Sequence, residues 1–238
     1  MTKLSTRRGF FRGVAGIGAG AAALSFAQAF DMGTAYASHN ASDEPQTILN
    51  LAVTAETLAV SAYYYTLQGN PLDFDGADTQ YLKLALSAEM YHLDFLTSAG
   101  GQALASSFYV PEKFLSDKAV NTATFAAAET AFVGAYLAVT RRFAELGNPR
   151  LAATAAQHAA SENEHLALIR DIAGLVPNPN GLPAPIYYNV SDAVPTLVPF
   201  IQGGDGFAGP VSFPGPDAIA ALAGPFEAAP VPAFTQVF

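Results

Sequence analysis

The sequence predicts an all-α protein: a four-helix bundle with a long crossover between helices two and three, followed by a Pro/Gly-rich irregular C-terminal arm. Three observations carry this. Four segments show apolar residues at helical spacing, each closed by turn residues. The connections between them run short, long, short, which pairs the helices as two antiparallel hairpins. Beyond Leu175 the character changes abruptly, with 12 of the 16 prolines falling between Pro177 and Pro232. At 238 residues, with 51% hydrophobic and 13% charged residues, the chain suits one well-buried domain with appendages. The divisions are 1–37, 38–175 and 176–238.

Residues 1–37 read as a leader. Ser5-Thr6-Arg7-Arg8-Gly9-Phe10-Phe11-Arg12 is a twin-arginine pattern, followed by the Gly/Ala-rich run GVAGIGAGAAALSFAQAF and the small-x-small site Ala35-Tyr36-Ala37. Cleavage before Ser38 is expected, with export to the periplasm or the cell exterior. A second cleavage site follows Ala27-Gln28-Ala29. Removing the leader takes four of 11 Lys/Arg and one of 20 Asp/Glu, leaving 7 − 19 = −12. This acidity, without Lys/Arg clusters, argues against nucleic acid. No later segment is expected to cross a membrane, so no transmembrane anchor remains after processing.

The first helix is expected over Pro45–Leu67, with Pro45 in its first turn and Gly69-Asn70-Pro71 ending it. Its apolar stripe is broken only by Glu56. The second, about Thr79–Ala99, ends at Gly100-Gly101 and carries Glu89 and His92 among Leu82, Leu86, Leu93 and Leu96. The third, about Thr122–Leu146, carries Glu129 among Phe125, Phe132, Val133 and Tyr136. The fourth, about Pro149–Ala173, carries Glu162 and His165 among Ala155, Ala159 and Ile169. After it, helix is expected at most over Asp217–Ala223, and the bulky residues Ile186, Leu197, Phe200, Phe207 and Phe213 imply an arm packed on the bundle or on another subunit. The second case would make a homo-oligomer.

An internal repeat links the hairpins. Glu56/Glu129, Tyr63/Tyr136, Glu89/Glu162 and His92/His165 are all offset by 73 residues, and in each half the two glutamates are 33 positions apart. Two hairpins related by a pseudo-twofold axis would put four carboxylates and two imidazoles at one level of the core. Buried without a partner, four carboxylates repel and are costly to desolvate. Two divalent cations balance their −4, and neutral histidines complete the coordination. Cysteine is absent, so such ions must be held by oxygen and nitrogen.

One Glu on each of two helices and Glu-x-x-His on each of the others resembles the ferritin-like di-iron and di-manganese carboxylate proteins over about residues 43–175. The exported architecture with its extra tail is most similar to the twin-arginine ferritin-like and desiccation-related proteins. The resemblance implies two Fe or Mn ions, with Glu56 and Glu129 as terminal carboxylates, Glu89 and Glu162 as bridges, and His92 and His165 supplying one imidazole per ion. It further implies an oxidoreductase using O2, peroxide or Fe2+, or else a non-catalytic metal-binding stress protein acting through its arm. No fifth helix like that of cage-forming ferritins is evident after Gly174, so cage storage is not expected.

Other residues near these positions weigh less. Tyr63 and Tyr136 can hydrogen-bond ligand carboxylates or carry a radical, the first being the commoner case, and His158, four residues before Glu162, is weighed as a seventh ligand but read as an outer partner or a packing residue. Met90 is read as packing, Asp94 and Glu164 as a solvated face, and Asp73, Asp75 and Asp78 as turn chemistry.

Overall fold

The computed structural model describes residues 43–238, so the leader, its arginines and both cleavage sites lie outside the described residues. Four long helices form the body: α1 (Pro45–Leu67), α2 (Gly76–Ser98), α3 (Lys118–Glu145) and α4 (Pro149–Ile172). α1 packs along α2 and α3 along α4, with sparser contacts between the two pairs. The boundaries of α1 match the sequence expectation. α2 and α3 begin three and four residues earlier than expected, because Asp75 and Asp117 cap them. Each aspartate accepts hydrogen bonds from two backbone N–H groups of the first turn.

The crossover is not featureless. Its residues Ser107–Pro111 form β1, which pairs antiparallel with β2 (Phe207–Ser212) from the C-terminal segment, Ser107 opposite Ser212 and Pro111 opposite Phe207. The C-terminal segment is also more regular than expected. Helix appears at α5 (Val194–Gln202), α6 (Pro216–Ala223) and α7 (Phe234–Val237), besides a 3-10 turn at Val190–Ala193. Proline permits this because Pro195 and Pro216 occupy first-turn positions, where the missing N–H has no helical partner to lose. Pro199 does lie inside α5, and the helix is only nine residues long.

The segment wraps its own bundle. Arg141 on α3 donates to the Tyr188 carbonyl and Asn189 Oδ1 while stacking over the Tyr188 ring at 3.7 Å. Asp43 accepts from the Ser191 N–H, α6 packs on α2, and α7 lies on α4, where Gln157 accepts from the Phe234 N–H.

One expectation needs correction. α3 is long and apolar enough to cross a membrane by length and composition, whereas no such segment was expected after the leader. In this fold 56% of its most apolar window is buried, and Glu129 sits among its buried residues.

Candidate metal centre

The six residues on the apolar stripes converge. Glu56, Glu89, Glu129 and Glu162 are at most 1% exposed, and His92 and His165 are buried beside them at 7% and 6%. They fall into two overlapping groups: Glu56, Glu89, His92 and Glu162, and Glu89, Glu129, Glu162 and His165. Within each group one ligand atom per residue lies within 4.8 Å of all the others. Two atoms bound to a common ion at about 2.0–2.4 Å can be no more than about 4.8 Å apart, so each group can hold one ion. Glu89 and Glu162 belong to both groups.

The hydrogen bonds sort the oxygens further. Tyr63 Oη donates to Glu129 Oε1 at 2.6 Å, and Tyr136 Oη donates to Glu56 Oε1. Each tyrosine therefore holds the glutamate of the opposite hairpin, not the one on its own helix. What remains is Glu56 Oε2, Glu129 Oε2, both oxygens of Glu89 and Glu162, and Nδ1 of His92 and His165: eight buried atoms with no hydrogen bond of acceptable geometry. Shared between two ions, they provide four donor atoms each.

The histidines lean into the carboxylates. His165 Nδ1 lies 2.7 Å from Glu89 Oε1 and 3.4 Å from Glu162 Oε2; His92 Nδ1 lies 3.1 Å from Glu162 Oε1 and 3.3 Å from Glu89 Oε2. With no ion bound, protons carry the compensation. Burial, reinforced by the Glu89 charge, pushes the Glu56 and Glu129 carboxyls well above the ordinary range. Burial opposes ionisation of Glu89 too, but His165 outweighs it and holds Glu89 well below that range. For Glu162, burial and the Glu89 charge are together outweighed, chiefly by His92. Burial would lower both imidazoles, yet Glu162 lifts His92 to about 9 and Glu89 lifts His165 well above its ordinary value.

His158 is not among the grouped donors. Its Nδ1 pairs with the Thr154 carbonyl at 3.0 Å, and its ring packs against His92 and Tyr136, with centroids 4.8 and 4.9 Å away. In the other half Ala85 takes its place, and Tyr63 stacks instead on Phe125 at 4.2 Å. Burial lowers His158 to about 4, so it is neutral. Met90 packs at the edge of the core, Asp94 and Glu164 are exposed, and Asp78 pairs with Lys118 at 3.2 Å.

Sequence reasoning missed a second feature beside the cluster. An apolar cleft of about 70 Å³ lies between α1 and α3 under α5, reaching Tyr136. Its lining of Ala, Leu, Val and Phe is indistinguishable in sequence from ordinary core. No family model, curated protein or solved structure matches this chain, so the cluster is interpreted from its own geometry.

Proposed function

We propose that this chain is a ferritin-like dimetal carboxylate protein and an oxidoreductase. Glu89 and Glu162 would be shared by two ions, with Glu56 and His92 completing one position and Glu129 and His165 the other. The observation that carries this reading is that Glu89 and Glu162 are common to both donor groups, and that none of their four buried oxygens takes a hydrogen bond of acceptable geometry. Oxygen and nitrogen donors of this kind suit Fe or Mn. Such a pair of M2+ ions would supply two electrons in all, enough with two protons to reduce O2 to H2O2 or H2O2 to two waters. The chain's own groups prepare that chemistry. Tyr63 and Tyr136 orient the terminal carboxylates, and the surrounding buried Leu, Phe and Val side chains keep bulk water from the cluster. The twin-arginine leader supports action outside the cytoplasm.

Elemental analysis of the purified protein tests the site: about two ions per chain are expected. Glu89→Ala or Glu162→Ala should lower occupancy at both positions, whereas Glu56→Ala or Glu129→Ala should spare one. Full metal content in a bridge variant would refute the assignment. Stoichiometric metal without turnover of O2 or peroxide would make the pair a staple of the bundle rather than a catalyst.

A further inference from the structure

The α1–α3 cleft has a definite origin. Ala52 and Ala55 on α1 face Ala128, Ala131 and Ala135 on α3, and these small side chains leave a gap that α5 roofs with Leu197 and Phe200. A smaller cavity of about 20 Å³ lies beside it, with Leu58, Ala128, Phe132 and Phe200 as shared walls, and Glu129 is part of its lining. Each borders a residue of the cluster or its support: the larger is lined in part by Tyr136, which holds Glu56, and the smaller by Glu129.

No polar atom is exposed to the larger cavity. Of its lining side chains that carry one, Tyr136 spends its hydroxyl on Glu56 and Thr196 pairs with Tyr187 at 3.1 Å. Water needs two to four polar partners to settle in a cavity and finds none here. Hydrated Fe2+ and hydrogen peroxide are disfavoured for the same reason. Size narrows the choice. A dry apolar cavity of about 150 Å³ accepts benzene or xenon, so about 70 Å³ is short for an aromatic ring and ample for a diatomic gas or one xenon atom. The roof is tied down through Arg141 and Asp43, which leaves little room for an acyl chain or a second copy of the protein.

We propose that this cleft is a docking pocket for molecular oxygen, delivering it to the cluster from the α1–α3 side. The inference rests on the dimetal reading and extends it by naming O2, rather than peroxide or Fe2+, as the molecule the fold is built to receive.

Xenon serves as the probe because its binding needs no metal. Crystals of the metal-free and metal-loaded protein under xenon pressure should both show xenon between Ala55, Ala131 and Leu197. Ala131→Leu fills the space from α3, and Leu197→Trp fills it from the roof should the first variant fold poorly. Either should abolish xenon binding with metal content unchanged. In the metal-loaded protein, oxidation of the reduced pair by O2 should slow by about tenfold or more, while oxidation by added H2O2 keeps its rate. An empty cleft under xenon overturns the proposal, as does a co-purified acyl chain occupying it or an unchanged O2 rate in a variant that has lost xenon. A chain that takes up no metal would defeat the dimetal reading, while the xenon maps still decide whether the pocket admits an apolar gas.

Discussion

Glu56 and Glu129 each have one oxygen held by a tyrosine from the other hairpin and one left for an ion, and this sets the charge balance of the cluster. Without metal, burial favours the neutral acid at Glu56 and Glu129, while the Glu89 and Glu162 carboxylates and the His92 and His165 imidazoles favour each other's charged forms. Two glutamic acids and two imidazolium ions together hold four protons beyond the metal-bound state. Two M2+ ions carry the same +4, so loading exchanges protons for metal at constant charge. Uptake of two M2+ at neutral pH should release about four protons per chain, read by titration calorimetry in buffers of different ionisation enthalpy. The sign follows: protons compete with metal, so affinity rises with pH and falls as the acids and imidazoles hold their protons more firmly. Release of only about two would mean that the terminal glutamates are ionised before metal arrives.

Helix α3 shows how an element can be legible on one face and not on another. Its stripe around Glu129 was readable from periodicity, but the role of Gly134 was not, since a lone glycine in a helical pattern costs only about 1 kcal/mol and gives no direction. In the fold, a Cβ on Gly134 would collide with Ile186 and come within 3.3 Å of Tyr187, so the glycine lets the C-terminal segment lie directly against the helix backbone. Gly134→Leu should therefore lift residues 186–200 away, with about 1–3 kcal/mol lost to overpacking. Hydrogen exchange should accelerate over the 3-10 turn and α5 while α1–α4 keep their protection. Uniform protection would mean the segment is held by Arg141 and Asp43 alone. The same limit explains why β1, β2, α5 and α7 escaped sequence reading: these short elements are stabilised by docking, which periodicity does not record.

Across the molecule, the legible part was what repeats. The 73-residue offset pointed to all six cluster residues because a stripe with one charge on it stands out four times over. The exchange of tyrosines between hairpins did not stand out, since spacing along one helix says nothing about which neighbour a side chain reaches. Export belongs to the whole chain as well. Arg7→Lys with Arg8→Lys should hold the precursor in the cytoplasm, while exported wild type should begin at Ser38, checked by fractionation and N-terminal sequencing. Normal export of the double variant would refute the twin-arginine reading.

The placement of the roof has a consequence in time. The last cluster residue is His165, whereas α5, which covers the α1–α3 side, ends at Gln202. A ribosome working at about 5–20 residues per second needs roughly 2–7 s to add the intervening stretch. For that interval the nascent bundle has all of its donor atoms but no lid over the side through which a small guest would pass. Synthesis thus supplies every donor atom before the residues of the roof, so the side of the interior under the α5 helix is the last for which covering residues exist.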